Sequence, residues 1–120
     1  MAGMIAHTEL ASTNPSETRE FLSSVFGWEF QSADSPKNEI FSYRTPAGVQ
    51  GSVRKTAPQE PASSLNYVLV NDIQKAEEKV RAFGGEIILP RVDVPKMGSF
   101  FWFKVPGGPI LACWQDSPKA

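Results

Sequence analysis

The 120-residue chain has one cysteine and one histidine. With Cys113 alone, no internal disulfide can form, and a structural zinc site of the thiolate type would lack its other ligands. Long apolar runs are also missing. Stretches such as Tyr67 to Val70 and Ile87 to Leu89 fall far short of the about 20 residues a spanning helix needs, so no membrane segment is expected. Neither sign of charge dominates. Twelve Lys and Arg against thirteen Asp and Glu leave −1 with no basic run, and capture of a phosphate backbone or an anionic membrane has nothing to draw on. Met1 to Ile5 carries neither a charged leader nor a long apolar stretch, so a cytoplasmic protein is expected. What is present, 41% hydrophobic and 21% charged residues, suits one globular domain, and at this length folding buries roughly two-thirds of the unfolded surface.

The sequence repeats itself. Phe26-Gly27-Trp28-Glu29-Phe30 recurs as Phe83-Gly84-Gly85-Glu86-Ile87 at an offset of 57. Phe41, Tyr43, Arg44, Pro46, Gly48 and Ser52 recur as Phe101, Phe103, Lys104, Pro106, Gly108 and Ala112 at an offset of 60. The three extra residues belong to the segment from Leu89 to Gly98, where Pro90 and Pro95 suggest a longer loop. Lys55 to Ser64, polar and holding Pro58 and Pro61, reads as a surface linker between the copies.

Each copy reads as strand, helix, strand, strand, strand. Ile5 to Ala11 is the first strand, and Asn14-Pro15-Ser16-Glu17 combines a capping Asn, Pro at the first helical position and Glu at the third. Phe21, Leu22, Val25 and Phe26 recur at helical spacing, and Gly27 stops the helix. In the second copy Leu65 to Val70 is the strand and Asp72 the cap. Ile73, Ala76, Val80 and Phe83 form the stripe, and Gly84 is the stop. Thr45-Pro46-Ala47-Gly48 and Val105-Pro106-Gly107-Gly108 predict hairpin turns. Gly107-Gly108 is no phosphate cradle, since prolines flank it and no helix start follows.

This order resembles the glyoxalase, bleomycin-resistance and extradiol dioxygenase superfamily, the vicinal oxygen chelate proteins. The features that carry the likeness are a His-bearing first strand, Phe26-Gly27-Trp28, Val70-Asn71-Asp72 opening a helix, Phe83-Gly84-Gly85-Glu86, and Pro106-Gly107-Gly108 before the last strand. The likeness runs from about Ile5 to Gln115 and is nearest to small proteins related to lactoylglutathione lyase. It implies an α+β fold of two tandem βαβββ modules, whose curved mixed sheets surround a cup usually completed by homodimerisation. Residues 1–120 would form one such domain, with module 1 at about 4–54, the linker at 55–64 and module 2 at about 65–115.

The resemblance also implies a divalent metal held by one ligand from the first and one from the last strand of each module, typically His and Glu. Those places hold His7, Ser52, Asn66 and Ala112, so only His7 matches. One imidazole and a neutral amide cannot replace two carboxylates in offsetting the dehydration of such an ion, so no cofactor is expected. The remaining metal reading is a weak site of His7, Glu9 and Gln50, with Glu9 on the strand face of His7 and Gln50 on that of Ser52.

The expected function is therefore small-molecule binding at a degenerate, metal-free site formed by His7, Gln50, Ser52, Asn66, Trp102 and Trp114. If Phe101 and Phe103 face a helix, alternation turns Phe100 and Trp102 into the cup. Trp114, two residues beyond Ala112, joins them beside His7 and Asn66. Leu10 and Leu69 then pack on the helices, and Cys113 is a buried, inert thiol on the same side. Two other readings compete. One is a divergent lyase or isomerase using His7 and Glu9 as base and acid, with or without a metal. The other is a structural module whose cup is filled by its own aromatics.

Overall fold

In the computed structural model, which describes residues 2–32, 40–46, 48 and 50–118, the elements follow the expected order. They are β1 (Ile5–Ser12), α1 (Pro15–Phe26), β2 (Glu29–Ser32), β3 (Phe41–Arg44), β4 (Gln50–Lys55), β5 (Ser63–Leu69), α2 (Ile73–Ala82), β6 (Glu86–Val94), β7 (Gly98–Lys104) and β8 (Ile110–Asp116). The class is α+β. The chain divides into two compact units, a first of His7–Leu65 and a second of Met1–Ala6 with Asn66–Ala120.

The caps follow from local chemistry. The Asn14 side chain accepts the N–H of Glu17 at 3.2 Å with Pro15 at the first helical position, and Asp72 accepts the N–H of Lys75 at 3.1 Å. Gly27 ends α1 at φ +72°, a conformation that costs a side-chain-bearing residue roughly 1–2 kcal/mol, and donates its N–H to Ser23 O at 2.9 Å. Ala47, in the expected Thr45–Gly48 turn, lies outside the described residues, while the Gly48 N–H reaches Thr45 O at 2.9 Å.

In the first unit the strands run β2-β3-β4-β1, antiparallel except for the parallel β1–β4 pair. Register puts Glu9 beside Ser52 and Leu10 beside Val53, so His7, Glu9, Ser52 and Arg54 share one face. Val53 and Phe41 share the other, where Arg19 of α1 lies 4.6 Å from the Phe41 ring centroid. Gly51 allows the Tyr43 hydroxyl to reach Thr8 O at 3.2 Å, because a β-carbon there would collide with both.

The second unit runs β5-β8-β7-β6 with β5 and β8 parallel. Its core is Ile73, Phe101 and Cys113, 2%, 0% and 4% exposed, against which Val70, Ala76, Val80, Ile87 and Phe103 pack. Each fully buried side chain of the size of Ile or Phe contributes roughly 1.5–3 kcal/mol. The Gln115 side chain accepts the N–H of Ile73 at 2.7 Å and seats the start of α2 on β8.

The helices differ in one respect that periodicity does not reveal. The stripe of α2 opens on buried Ile73 and continues through half-buried Ala76 and Val80, whereas Phe21, Val25 and Phe26 of α1 are 61%, 54% and 57% exposed and only Pro15 is buried. The helical period is as read, but the expected stripe is not a core stripe. Phe83, at the end of the α2 stripe, is likewise exposed.

Candidate functional site

Strand alternation gives each unit a face that its helix does not cover, and the two faces differ in chemistry. On that of the first unit, His7 Nε2 lies 3.0 Å from Ser52 Oγ. Burial lowers the pKa of His7 below its ordinary 6.5, with the negative charge of Glu9 opposing that shift, so the imidazole is neutral at neutral pH. The ring can then accept the seryl O–H or donate to it, according to its tautomer.

Glu9 shares the face but is engaged elsewhere. Its Oε1 accepts from Arg54 Nε at 2.7 Å, while Arg54 Nη1 and Nη2 reach Glu60 Oε1 and Oε2 at 2.7 and 2.8 Å. The three side chains are about 15% exposed. Glu60 also accepts the Ala57 N–H at 2.8 Å, and the bond from Arg54 is the main cause lowering its pKa. The segment expected to be a plain surface linker thus sends a carboxylate onto a strand side chain. Gln50 stands exposed at the start of β4, two residues before Ser52.

The helix-free face of the second unit is aromatic. Phe100 and Trp114 stack with centroids 6.2 Å apart, Tyr67 meets Phe100 edge-on at 6.0 Å, and Trp102 Nε1 donates to Tyr67 Oη at 3.3 Å. Trp114 Nε1 donates to Asp116 Oδ1 at 2.7 Å. Gly98 makes room for this indole, since a β-carbon there would strike the Trp114 ring and Gln115 O. Trp102 and Trp114 therefore share a face, as alternation requires once Phe101 and Phe103 pack toward α2.

Asn66 does not join them. The pairing of Tyr67 with Ala112 and Val68 with Cys113 puts Tyr67 and Leu69 on the aromatic face, and Asn66, Val68 and Val70 on the helix side. This corrects two expectations, that Asn66 turns away from the helix and that Leu69 packs on it. The first-strand position matching His7 is Leu65, 5% exposed, because Glu9–Ser52 and Tyr67–Ala112 are the equivalent pairs. A slip of one residue reverses every side chain. Cys113 lies on the helix side as expected, and burial raises its thiol to about 11.

These donors do not fit the metal that the fold class implies. His7 is bonded to Ser52, Glu9 and Glu60 are held by Arg54, and Ala112 and Leu65 offer no donor side chain. Among the described residues no three His, Cys, Asp or Glu side chains gather as metal ligands. Arg54, Glu60 and Tyr67 went unnoticed in the sequence. The carboxylate in the polar linker was the available signal for Glu60, but its partner lies on the preceding strand. A cavity of about 230 Å³ near Arg91, Asp93 and Lys96, and an open depression of about 590 Å³ between α1 and β2 near Arg19 and Trp28, include none of the candidate site residues.

No protein-family model matches the chain. Two curated relatives, each provisionally named glyoxylase CFP32, from Mycobacterium tuberculosis and Mycobacterium bovis, are 26% identical over 115 residues. The match covers 89% of this chain but only 43% of theirs, so the chain spans less than half the length of these relatives. A glyoxalase/bleomycin resistance protein/dioxygenase superfamily member from Vibrio splendidus superposes with a TM-score of 0.73 at 19% identity, covering 92% of this chain and 97% of its own. Methylmalonyl-CoA epimerase from M. tuberculosis gives 0.67 at 12% identity, covering 97% and 89%. The chain shares its α+β fold with that superfamily member and with the epimerase, with a βαβββ order in each half.

Proposed function

We propose that the chain is a metal-independent small-molecule-binding protein of this superfamily. The observation that carries the proposal is the occupancy of the helix-free face of the first unit: a neutral His7 bonded to Ser52, beside an Arg54 already balanced by carboxylates. Such a face offers hydrogen bonds without the charge a divalent ion requires. In the second unit, the Phe100–Trp114 stack and Trp102 supply the flat apolar surface on which a planar ligand group packs.

The test is metal content and melting temperature of the purified protein before and after EDTA. A change below about 1 °C with substoichiometric metal is the expected result, and stoichiometric metal with a drop of several degrees overturns the reading. A second reading is favoured by His7 itself. An unprotonated imidazole is the form a general base needs, so a lyase or isomerase acting through His7 is the alternative. Loss of turnover in His7→Ala, for any substrate found by screening, would select it.

A homodimer and a cytoplasmic location belong to the same proposal. The exposed Phe21, Val25 and Phe26 of α1 are apolar surface that a second copy would cover, and a sedimentation mass near that of one chain would exclude the dimer.

A further inference from the structure

The two carboxylates on Arg54 are not equivalent. Glu9 belongs to β1, whose pairing with β4 fixes it beside Ser52. Glu60 comes from the linker, at the end of the turn from Ala57 to Glu60. There Pro58 precedes Gln59 at φ +66°, and the Glu60 N–H closes the turn on Ala57 O at 3.0 Å. Glu60 meets the guanidinium fork with both oxygens, at 2.7 and 2.8 Å, in the two-pronged geometry by which arginine recognises a free carboxylate. Both Nη groups thus serve Glu60, with Nη1 also donating to Lys55 O at 3.1 Å, while Nε serves Glu9. Arg54 also follows Ser52 by two residues on one strand face, about 6–7 Å along the strand.

We infer that Arg54 is the anchor for the carboxylate of an organic acid, and that Glu60 holds this seat until such a ligand displaces it. The inference rests on the small-molecule-binding reading and names its ligand class. When the linker turn opens, the two Nη groups face the ligand carboxylate. The charge pair with Glu9 stays intact, and His7 and Ser52 stand within reach of the rest of the molecule. A carboxylate tethered through so short a turn competes at an effective concentration in the millimolar range. A ligand must therefore exceed bare acetate in its contacts, and removal of Glu60 must raise its affinity.

The test uses benzoate as the probe and benzamide as its neutral counterpart, titrated calorimetrically into the whole chain. Glu60→Ala is expected to bind benzoate at least about 10-fold tighter than the unaltered protein, with no gain for benzamide, and Arg54→Lys combined with Glu60→Ala is expected to lose the gain. In the unaltered protein, saturating benzoate should speed hydrogen exchange at the Ala57 amide, whose acceptor leaves. Circular dichroism checks each fold, and Glu60→Gln, expected to show a smaller gain, replaces Glu60→Ala if that variant unfolds. Equal affinity with and without the Glu60 carboxylate, a gain that survives loss of Arg54, an unchanged Ala57 amide, or no benzoate binding in any variant overturns the inference. Benzoate binding that is lost in Ser52→Ala yet indifferent to Arg54 and Glu60 would sink this inference alone and leave the binding reading standing.

Discussion

The two units are built to one plan and have opposite surfaces. Phe41 and Tyr43 in the first correspond to Phe101 and Phe103 in the second, on the side of the helix in both. On the other side, Ser52 corresponds to Ala112 and Glu9 to Tyr67, so hydrogen bonds and an ion pair in one unit stand where aromatic rings stand in the other. The helices differ as well, since α2 buries Ile73 at 2% exposure while α1 leaves Phe21 61% exposed. A duplicated fold is thus maintained by the residues that pack under its helix, and its other face is free to diverge in polarity.

The core side gives the largest effect. Phe101→Ala should cost about 3–5 kcal/mol and Ile73→Ala about 2–5 kcal/mol in urea denaturation, whereas Phe21→Ala on α1 should stay within about 0.5 kcal/mol. A similar loss for Phe21→Ala would erase the difference between the helices.

Arg54→Ala strands two mostly buried carboxylates and should cost about 1–3 kcal/mol, and the double-mutant cycle with Glu60→Ala should show coupling. Additive losses would mean that the ion pair contributes nothing to the polarity of this face.

Acid should separate the two faces further. Glu60 has a lowered pKa in the folded state, so its contribution is present above the unfolded value near 4.5 and is lost as pH falls through the folded one. His7 also has a lowered pKa. The unfolded chain then binds the extra proton first, and stability declines as pH falls below about 6.5 until the folded pKa is passed. Denaturation midpoints from pH 7.5 to 3.5 should therefore fall in two steps. His7→Ala should remove the upper step and Arg54→Ala most of the lower, and a midpoint flat between pH 7 and 5.5 would contradict the burial of His7.

The smallest effect is chemical. Cys113, with its thiol pushed up to about 11, should resist Ellman's reagent at pH 8 in the native state and react at once in urea.

Much of this was legible in the sequence, and the failures have physical causes. Caps and stops act within one turn of chain, so Asn14, Gly27 and Asp72 could be read directly. The 60-residue offset pairs Phe41 and Tyr43 with Phe101 and Phe103, and both pairs lie on the helix side although the strands that carry them differ in length. The first strands did not yield in the same way. From Leu65 to Val70 both faces of β5 carry apolar side chains apart from Asn66, and alternation cannot choose a side when both are apolar. The lone polar residue then suggested a pairing with His7 that is wrong by one position. The Arg54–Glu60 pair escaped notice for another reason, since its geometry depends on how the linker turns back.

Residues 2–6 complete the second unit, with the Gly3 N–H on Leu69 O at 2.7 Å and the Leu69 N–H on Met4 O at 2.8 Å. During synthesis Gly3 and Met4 therefore lack these partners until Leu69 has left the ribosome. His7 can find Ser52 after only 45 further residues. A chain stalled just beyond Leu65 would hold every residue of the first unit while Gly3 and Met4 still waited for Leu69. Within this stretch Gly3 and Met4 are translated before His7 but paired after it.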